Sequence, residues 1–282
     1  MPEKTVFLCA ISNISSGSCS EDCAFCTQSA HYHADIERYR YKAIDQIVHE
    51  AKMARANRAI GFCLVTAGRG IDDKILSFVC EAAAAVKRTE PDLNIIACNG
   101  TATVEQLHEL KKAGVGSYNH NLESSREYYP KICSTHNWEE RYETCENVKI
   151  AGLDLCSGGI FGMGESEADR VSMVASLKNL SPASVAINFY HPNPALPIEE
   201  NPLGIDEALE IVRYVKSQLP EAMIMVAGGR ERMFGERQPE IFSAGANSIV
   251  IGNYLTTKGN APDKDIVMLE SLGLKIAESC HG

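Results

Sequence analysis

Read for hydropathy alone, the 282-residue chain alternates short apolar runs with longer stretches in which apolar residues return every three or four positions. The strand-like runs are 5–11, 60–66, 93–99, 115–121, 154–160, 184–190, 222–228 and 248–252. Between them, Ile44, Ile47, Val48 and Ala51 share one helical face, and so do Leu76, Val79, Cys80 and Ala83. Ser166-Glu167-Ala168-Asp169 has the hydroxyl cap and acidic first turn of a helix start. Gly114, Gly152 and Gly245 each follow a helical pattern, where a left-handed terminus favours glycine. Strand plus helix recurs at intervals of roughly 30 residues, the rhythm of a parallel sheet. Eight such units predict an α/β fold, a (β/α)8 TIM-type barrel; the periodicity by itself also fits an open doubly wound sheet. No linker divides the chain, so one domain is expected over 1–282. The Pro-rich segment 191–202 is expected to be a loop over the barrel mouth, with an ordinary surface connection as the alternative.

Composition narrows the class. Asp plus Glu number 37 against 27 Lys plus Arg, a formal charge of −10. Without a Lys/Arg cluster there is no grip for a phosphate backbone, which argues against nucleic acid. Met1 to Lys4 and the short apolar stretch after them have neither the basic leader nor the length of a secretory signal. No run reaches the about 18 apolar residues of a membrane span. The expectation is a cytoplasmic protein with no membrane association. Eleven cysteines then point to metal binding or catalysis, because a reducing compartment rarely keeps structural disulfides. For each one, a small buried hydrophobe is the plain alternative.

Cys19, Cys23 and Cys26 stand as C-x3-C-x2-C, with Phe25 before the last, in a Gly/Ser-rich loop after the first strand. A structural zinc site closes with four protein ligands, and His31 or His33 is near enough in sequence to be the fourth. A cubane iron–sulfur cluster also uses thiolates, one per iron, and three would leave one iron open. Gly158-Gly159-Ile160-Phe161-Gly162-Met163-Gly164-Glu165 reads G-x-I-x-G-x-x-E at the end of the fifth strand. Glycines there let the backbone approach a flat ring closely; a plain strand-to-helix turn is the alternative. The two motifs together resemble those of the radical S-adenosylmethionine (SAM) superfamily. That resemblance implies a [4Fe–4S] cluster on Cys19, Cys23 and Cys26 whose open iron is chelated by SAM, with Phe25 and Ile160 beside the cofactor. It also implies a 5′-deoxyadenosyl radical as the oxidant. The Gly-Gly-Glu common near the second strand of that superfamily is Thr66-Ala67-Gly68 here.

Cys63, Cys98 and Cys156 fall in strand-like runs, and alternate positions of barrel strands point inward in layers. They can therefore converge, or each can be a separate core residue. Gly61-Phe62-Cys63, Cys98, Cys156-Ser157-Gly158-Gly159 and Ala227-Gly228-Gly229-Arg230-Glu231 resemble the places where the biotin synthase family holds an auxiliary [2Fe–2S] cluster. The implied ligands are Cys63, Cys98, Cys156 and Arg230. A protonated guanidinium is a poor ligand, so a buried ion-pair partner is the alternative for Arg230. Cys9, Cys80, Cys145 and Cys280 read as structural, and Cys133 stays ambiguous.

Tyr118-Asn119-His120-Asn121-Leu122-Glu123 closes the fourth strand, where barrel enzymes build their sites. By the same resemblance, Asn119 and Asn121 contact substrate, while Asn121 and Glu123 lie near the ribose of SAM. Glu123 stands where the family commonly has Asp. Asn188 matches a ureido-contacting position, with an Asn bonded to local backbone as the alternative. Thr256 and Thr257 match the segment that receives the substrate's carboxylate. His120 reads as a hydrogen-bonded structural histidine. An Arg that many members carry is Gly61 here.

The resemblance implies conversion of dethiobiotin to biotin by sulfur insertion, with sulfur from the auxiliary cluster and no catalytic side chain beyond the cluster ligands. No side-chain acid or base removes hydrogen from an unactivated carbon at neutral pH, which fits a radical oxidant. It further implies an electron-donating flavodoxin, the iron–sulfur assembly machinery and a homodimer. The competing readings are a radical SAM enzyme without sulfur insertion and a non-catalytic zinc or iron–sulfur protein.

Overall fold

The computed structural model describes residues 5–200 and 202–279; Cys280 lies outside them. Nine strands are described: β1 (Thr5–Asn13), β2 (Gly61–Val65), β3 (Asn94–Cys98), β4 (Val115–Asn119), β5 (Asp154–Phe161), β6 (Ser184–Phe189), β7 (Met223–Val226), β8 (Ser248–Val250) and β9 (Lys275–Ile276). The helices are α1 (Ile44–Ala56), α2 (Asp73–Thr89), α3 (Val104–Lys112), α4 (Trp138–Ile150), α5 (Glu167–Leu180), α6 (Ile205–Gln218), α7 (Arg230–Phe234), α8 (Glu240–Ala244) and α9 (Pro262–Ser271).

Strands β1 to β8 pair in sequence order, all parallel, and β8 returns to β1. The sheet is thus a closed eight-stranded (β/α)8 barrel. Covered on both sides, a parallel strand loses its polar face, and all five residues of β2 are buried. β9 pairs with the first residues of β1 beside the barrel.

Local signals set the helix starts. Asp72 accepts the Ile75 amide at 2.7 Å to begin α2, and Thr103/Gln106, Asn137/Glu140 and Ser166/Asp169 form capping boxes on α3, α4 and α5. Gly114, Gly152 and Gly245 all take positive φ, as their positions after helices predict. The apolar residues between strands and helices make one continuous core; Cys9, Cys63, Val65, Ile96, Ala227 and Val250 form a second cluster inside the barrel. No helix among the described residues is long and apolar enough to cross a membrane.

Candidate active site

A cavity of about 420 Å³ opens at the carboxyl ends of the strands and reaches into the barrel, within the usual size range of a small-molecule site. It is lined by Cys19, Cys23 and Cys26, by Cys63, Cys98 and Cys156, and by Phe25. Asn119, Asn121, Glu123, Asn188, Thr256 and Thr257 complete its polar wall. Ile160 and Arg230 are not part of its lining, and neither is any described residue of 191–202. The segment after β8, through Tyr254 and Leu255 to Thr257, supplies that side instead.

The loop after β1 folds on itself before it presents its cysteines. The Cys19 amide donates to the Gln28 carbonyl at 3.1 Å, and the Ala30 amide returns to the Cys19 carbonyl at 2.8 Å. The Cys26 amide donates to the Cys23 carbonyl at 3.0 Å, and the Gly17 amide to the Gln28 side chain at 3.0 Å. His31, offered with His33 as a fourth ligand in the zinc alternative, puts Nε2 3.0 Å from the Ser20 carbonyl. Among the described residues, the trio of ligand atoms that gathers within 4.8 Å is Cys23, Cys133 and His136; neither Cys19–Cys23–Cys26 nor Cys63–Cys98–Cys156 does. Neither cavity set as it stands gathers three sulfurs around one point. The thiolates of a [4Fe–4S] cluster sit on separate irons and stand farther apart, whereas a [2Fe–2S] cluster places two terminal ligands on each iron. Burial holds the Cys19 thiol above its ordinary range.

Strand register explains the deeper set. Val65 pairs with Cys98, so Cys63 sits one inward position below Cys98, and Asn119 pairs with Cys156 across β4 and β5. The Cys63 thiol hydrogen-bonds the Cys98 sulfur, which raises Cys63 and lowers Cys98; burial works upward on both. Asn119 Nδ2 donates to Cys98 at 3.3 Å, and Ser184 Oγ to Cys156 at 2.7 Å. Cys9, read as structural, lines the same cavity.

Glu123 has φ of +66°, and its chain runs against β5: its carbonyl accepts the Ile160 amide at 2.9 Å. Gly159 makes the approach possible, since a Cβ there would meet Met173 Sδ at 2.4 Å and the Glu123 carbonyl at 2.9 Å. Burial raises the Glu123 carboxyl, against the pull of Arg141. One oxygen faces Arg141 Nη2 at 3.3 Å; Oε2, like Oδ1 of Asn121, is buried with no hydrogen-bond partner in the protein. Buried acceptors are normally paired, so these two are placed for a ligand's donors. His120 is buried, and desolvation with the nearby Arg141 charge holds it neutral, well below its ordinary pKa.

Asn188, Thr256 and Arg230 also have protein partners. Asn188 bridges β5 and β7, donating to the Gly159 carbonyl at 3.2 Å and accepting the Gly228 amide at 2.9 Å. Thr256 Oγ1 lies 2.8 Å from Thr27 Oγ1. Arg230 is wholly buried and bonded to Asp265. Glu165, last residue of the glycine motif, folds back to accept the Gly162 and Met163 amides at 2.9 and 2.8 Å.

Sequence reasoning missed Arg141 on α4. Its Nε donates to the Asn121 carbonyl at 2.6 Å, so it braces the fourth-strand segment from behind. It also missed His136, which lies 2.7 Å from Glu21 Oε2 and from Tyr129 Oη. Neither falls in a strand-end motif; the 132–136 loop brings His136 to the cavity, and α4 brings Arg141.

Residues 13–177 match a family model described as the Radical SAM superfamily, and residues 186–275 one described as the Biotin and Thiamin Synthesis associated domain. The chain is 62% identical over 276 residues to the biotin synthase of a Nitratiruptor species, covering 98% of this chain and 99% of the relative. It is 60% identical over 276 residues to that of Campylobacter jejuni (strain RM1221), covering 98% and 99%. Two solved structures are similar: the FeFe-hydrogenase maturase HydG from Carboxydothermus hydrogenoformans (TM-score 0.83, 20% identity, 97% of this chain and 68% of that one), and methylornithine synthase PylB (TM-score 0.82, 20% identity, 97% and 84%). Those two likenesses speak to the fold alone.

Proposed function

Because this chain belongs to the biotin synthase family of the radical SAM superfamily, we propose that its cavity holds two iron–sulfur clusters, SAM and dethiobiotin at once. Its activity is the family's sulfur insertion, which converts dethiobiotin to biotin. Cys19, Cys23 and Cys26 would hold a [4Fe–4S] cluster. Cys63, Cys98 and Cys156, with Arg230 as fourth partner, would hold a [2Fe–2S] cluster. The observation that carries this reading is the convergence of two cysteine sets on one cavity.

When bound, SAM and its cluster supply a radical that takes hydrogen from dethiobiotin, and the second cluster supplies the sulfur. The protein's own part is to bind, orient and keep water out. The unpartnered oxygens of Glu123 and Asn121 suit donors such as ribose hydroxyls and ureido N–H groups. Phe25 lines the cavity beside them, and Ile160, which does not line it, serves through its amide by fixing the Glu123 chain. Asn119, Asn188, Thr256 and Thr257 are the substrate side of the wall. Arg230 gives both Nη atoms to Asp265, while its Nε is buried with no hydrogen-bond partner in the protein.

We read 1–282 as one domain, since β5 and β6, on either side of the two family matches, pair from Cys156↔Ser184 through Phe161↔Phe189. The family resemblance also carries a flavodoxin electron donor, the iron–sulfur assembly machinery, a homodimer and a cytoplasmic setting.

The test is anaerobic incubation of the reconstituted protein with SAM, dethiobiotin and a strong reductant, followed by mass spectrometry. Biotin with 5′-deoxyadenosine is expected. Cys63→Ala should still yield deoxyadenosine but no biotin; biotin from that variant would refute sulfur donation at the second site.

A further inference from the structure

Cys23 faces a thiol that belongs to neither cavity set. Its Sγ lies 3.7 Å from Cys133 Sγ, which in turn lies 3.3 Å from Nδ1 of His136. All three side chains are buried. We propose that Cys23, Cys133 and His136 form a binding site for one thiophilic divalent cation, of the zinc class, in the cluster-free chain.

The spacing is that of a tetrahedron's edges. Two thiolates on one zinc at about 2.3 Å stand about 3.8 Å apart, and a thiolate and an imidazole nitrogen about 3.6 Å apart. The observed 3.7 and 3.3 Å lie within a few tenths of an ångström of those edges. Glu21 Oε2, 2.7 Å from His136 Nδ1, is the oxygen we assign to complete the shell; Asp22 Oδ1 lies 3.4 Å from Cys133 Sγ. Tyr129 Oη, 2.7 Å from Nε2, is placed to take that nitrogen's proton when Nδ1 ligates. The Arg141 guanidinium donates to Nε2 at 3.2 Å only while that nitrogen is unprotonated. Once Nδ1 ligates and Nε2 carries the proton, that contact is given up, and the guanidinium's charge offsets the net negative charge that two thiolates and Glu21 leave on a divalent ion.

The donors are held in place before any ion arrives. Asp22 accepts the Ser134 and Thr135 amides at 2.9 and 3.2 Å, and the Ala24 amide donates to the Ile132 carbonyl at 2.8 Å. These bonds tie the 132–136 loop to the cysteine loop on both sides of the trio. Binding releases to solvent the protons of those thiols that are not already ionised, and no electron moves.

The cation site stands on these distances alone. Its consequence rests on the cluster reading above: Cys23 cannot serve both, so cation and [4Fe–4S] cluster exclude each other. The test is an anaerobic titration of the full-length, cluster-free protein with Co²⁺, in a phosphine reductant, followed by displacement with Zn²⁺. One Co²⁺ per chain is expected, with thiolate charge-transfer absorption and a tetrahedral visible band. Cys133→Ser should weaken binding by more than the roughly 10–100-fold that outer-shell partners are worth, whereas Cys19→Ser and Cys26→Ser should bind as the parent does. Circular dichroism of each variant checks that it folds. Absent Co²⁺ binding, parental affinity in Cys133→Ser, or equal loss in Cys19→Ser would each overturn the site. After cluster reconstitution the Co²⁺ equivalent should disappear. If it persists, the shared sulfur is refuted while the cation site stands.

Discussion

Arg230 and Asp265 close on each other in two hydrogen bonds, Nη1 to Oδ1 at 3.0 Å and Nη2 to Oδ2 at 2.7 Å, with neither side chain exposed. Burial alone pulls a guanidinium's pKa down; here Asp265 reverses that, and Arg230 stays charged inside the protein. Asp265→Ala leaves that cation only the partly buried Glu231, 3.1 Å away, as counter-ion, and should cost about 3 kcal/mol, the lower end of the range for breaking a buried pair. The loss would appear as a lower denaturant midpoint at unchanged slope. Removing both charges, as Arg230→Met with Asp265→Leu, should cost much less than Asp265→Ala. A double variant as unstable as the single one would mean that packing, not charge, sets the effect.

Glu123→Gln removes the charge behind the unpartnered Oε2. A hydrogen bond to an ionised acceptor is worth about 1.5–3 kcal/mol, so SAM affinity should fall roughly tenfold to a hundredfold. Glu123→Asp keeps the charge and should recover part of the loss. Calorimetry on the reconstituted protein measures both, and equal affinity in the Gln variant would remove Glu123 from the SAM site.

Gly159→Ala puts a methyl group where Met173 Sδ and the Glu123 carbonyl already stand. Overpacking of this kind costs about 1–3 kcal/mol. It should also weaken SAM binding, because the Glu123 chain must move off β5. Met173→Ala in the same chain relieves only the sulfur clash, so it should restore stability more than affinity.

Asp169 is held below its ordinary range, first by the Ser166 hydroxyl and then, against burial, by the Ser166 amide and Ser125. A carboxyl depressed by folding adds stability above its unfolded pKa of about 3.9 and loses it as pH falls through the folded value. Asp169→Asn should therefore lower the thermal midpoint at pH 7 and have a smaller effect near pH 3. Ser166→Ala removes the other half of the box and should cost about 0.5–2 kcal/mol. An Asn variant equally destabilised at both pH values would show that the ionised cap contributes nothing.

The barrel was legible because its strands are covered on both faces and so read as unbroken apolar runs, as β2 does. Ends shifted by a few residues, 222–228 in hydropathy against Met223–Val226 in the sheet, because flanking apolar residues pack without joining the ladder. The two-residue β9 has no period to read. Within the site, Cys63, Cys98 and Cys156 could be placed together because strand parity decides which way each points. Cys9 was passed over for the same reason inverted: parity also turns it inward, but nothing in its neighbours marks the lumen. Cys133 and His136 owe their place to the Asp22 contacts of one loop, and Arg141 to the docking of α4 on the Asn121 carbonyl, which no local pattern encodes. Of segment 191–202, expected over the mouth, no described residue lines the cavity, and Pro192, Glu199 and Glu200 line a second pocket with Arg232.

The barrel has two apolar clusters that do not merge, one between wall and helices and a small one within the lumen. The first is far the larger, so the molecule stands as a shell braced from outside, and its interior furnishing is largely independent of its walls. Chemistry inside such a shell can be altered piece by piece without bringing down the building, which is how one architecture comes to house unrelated reactions.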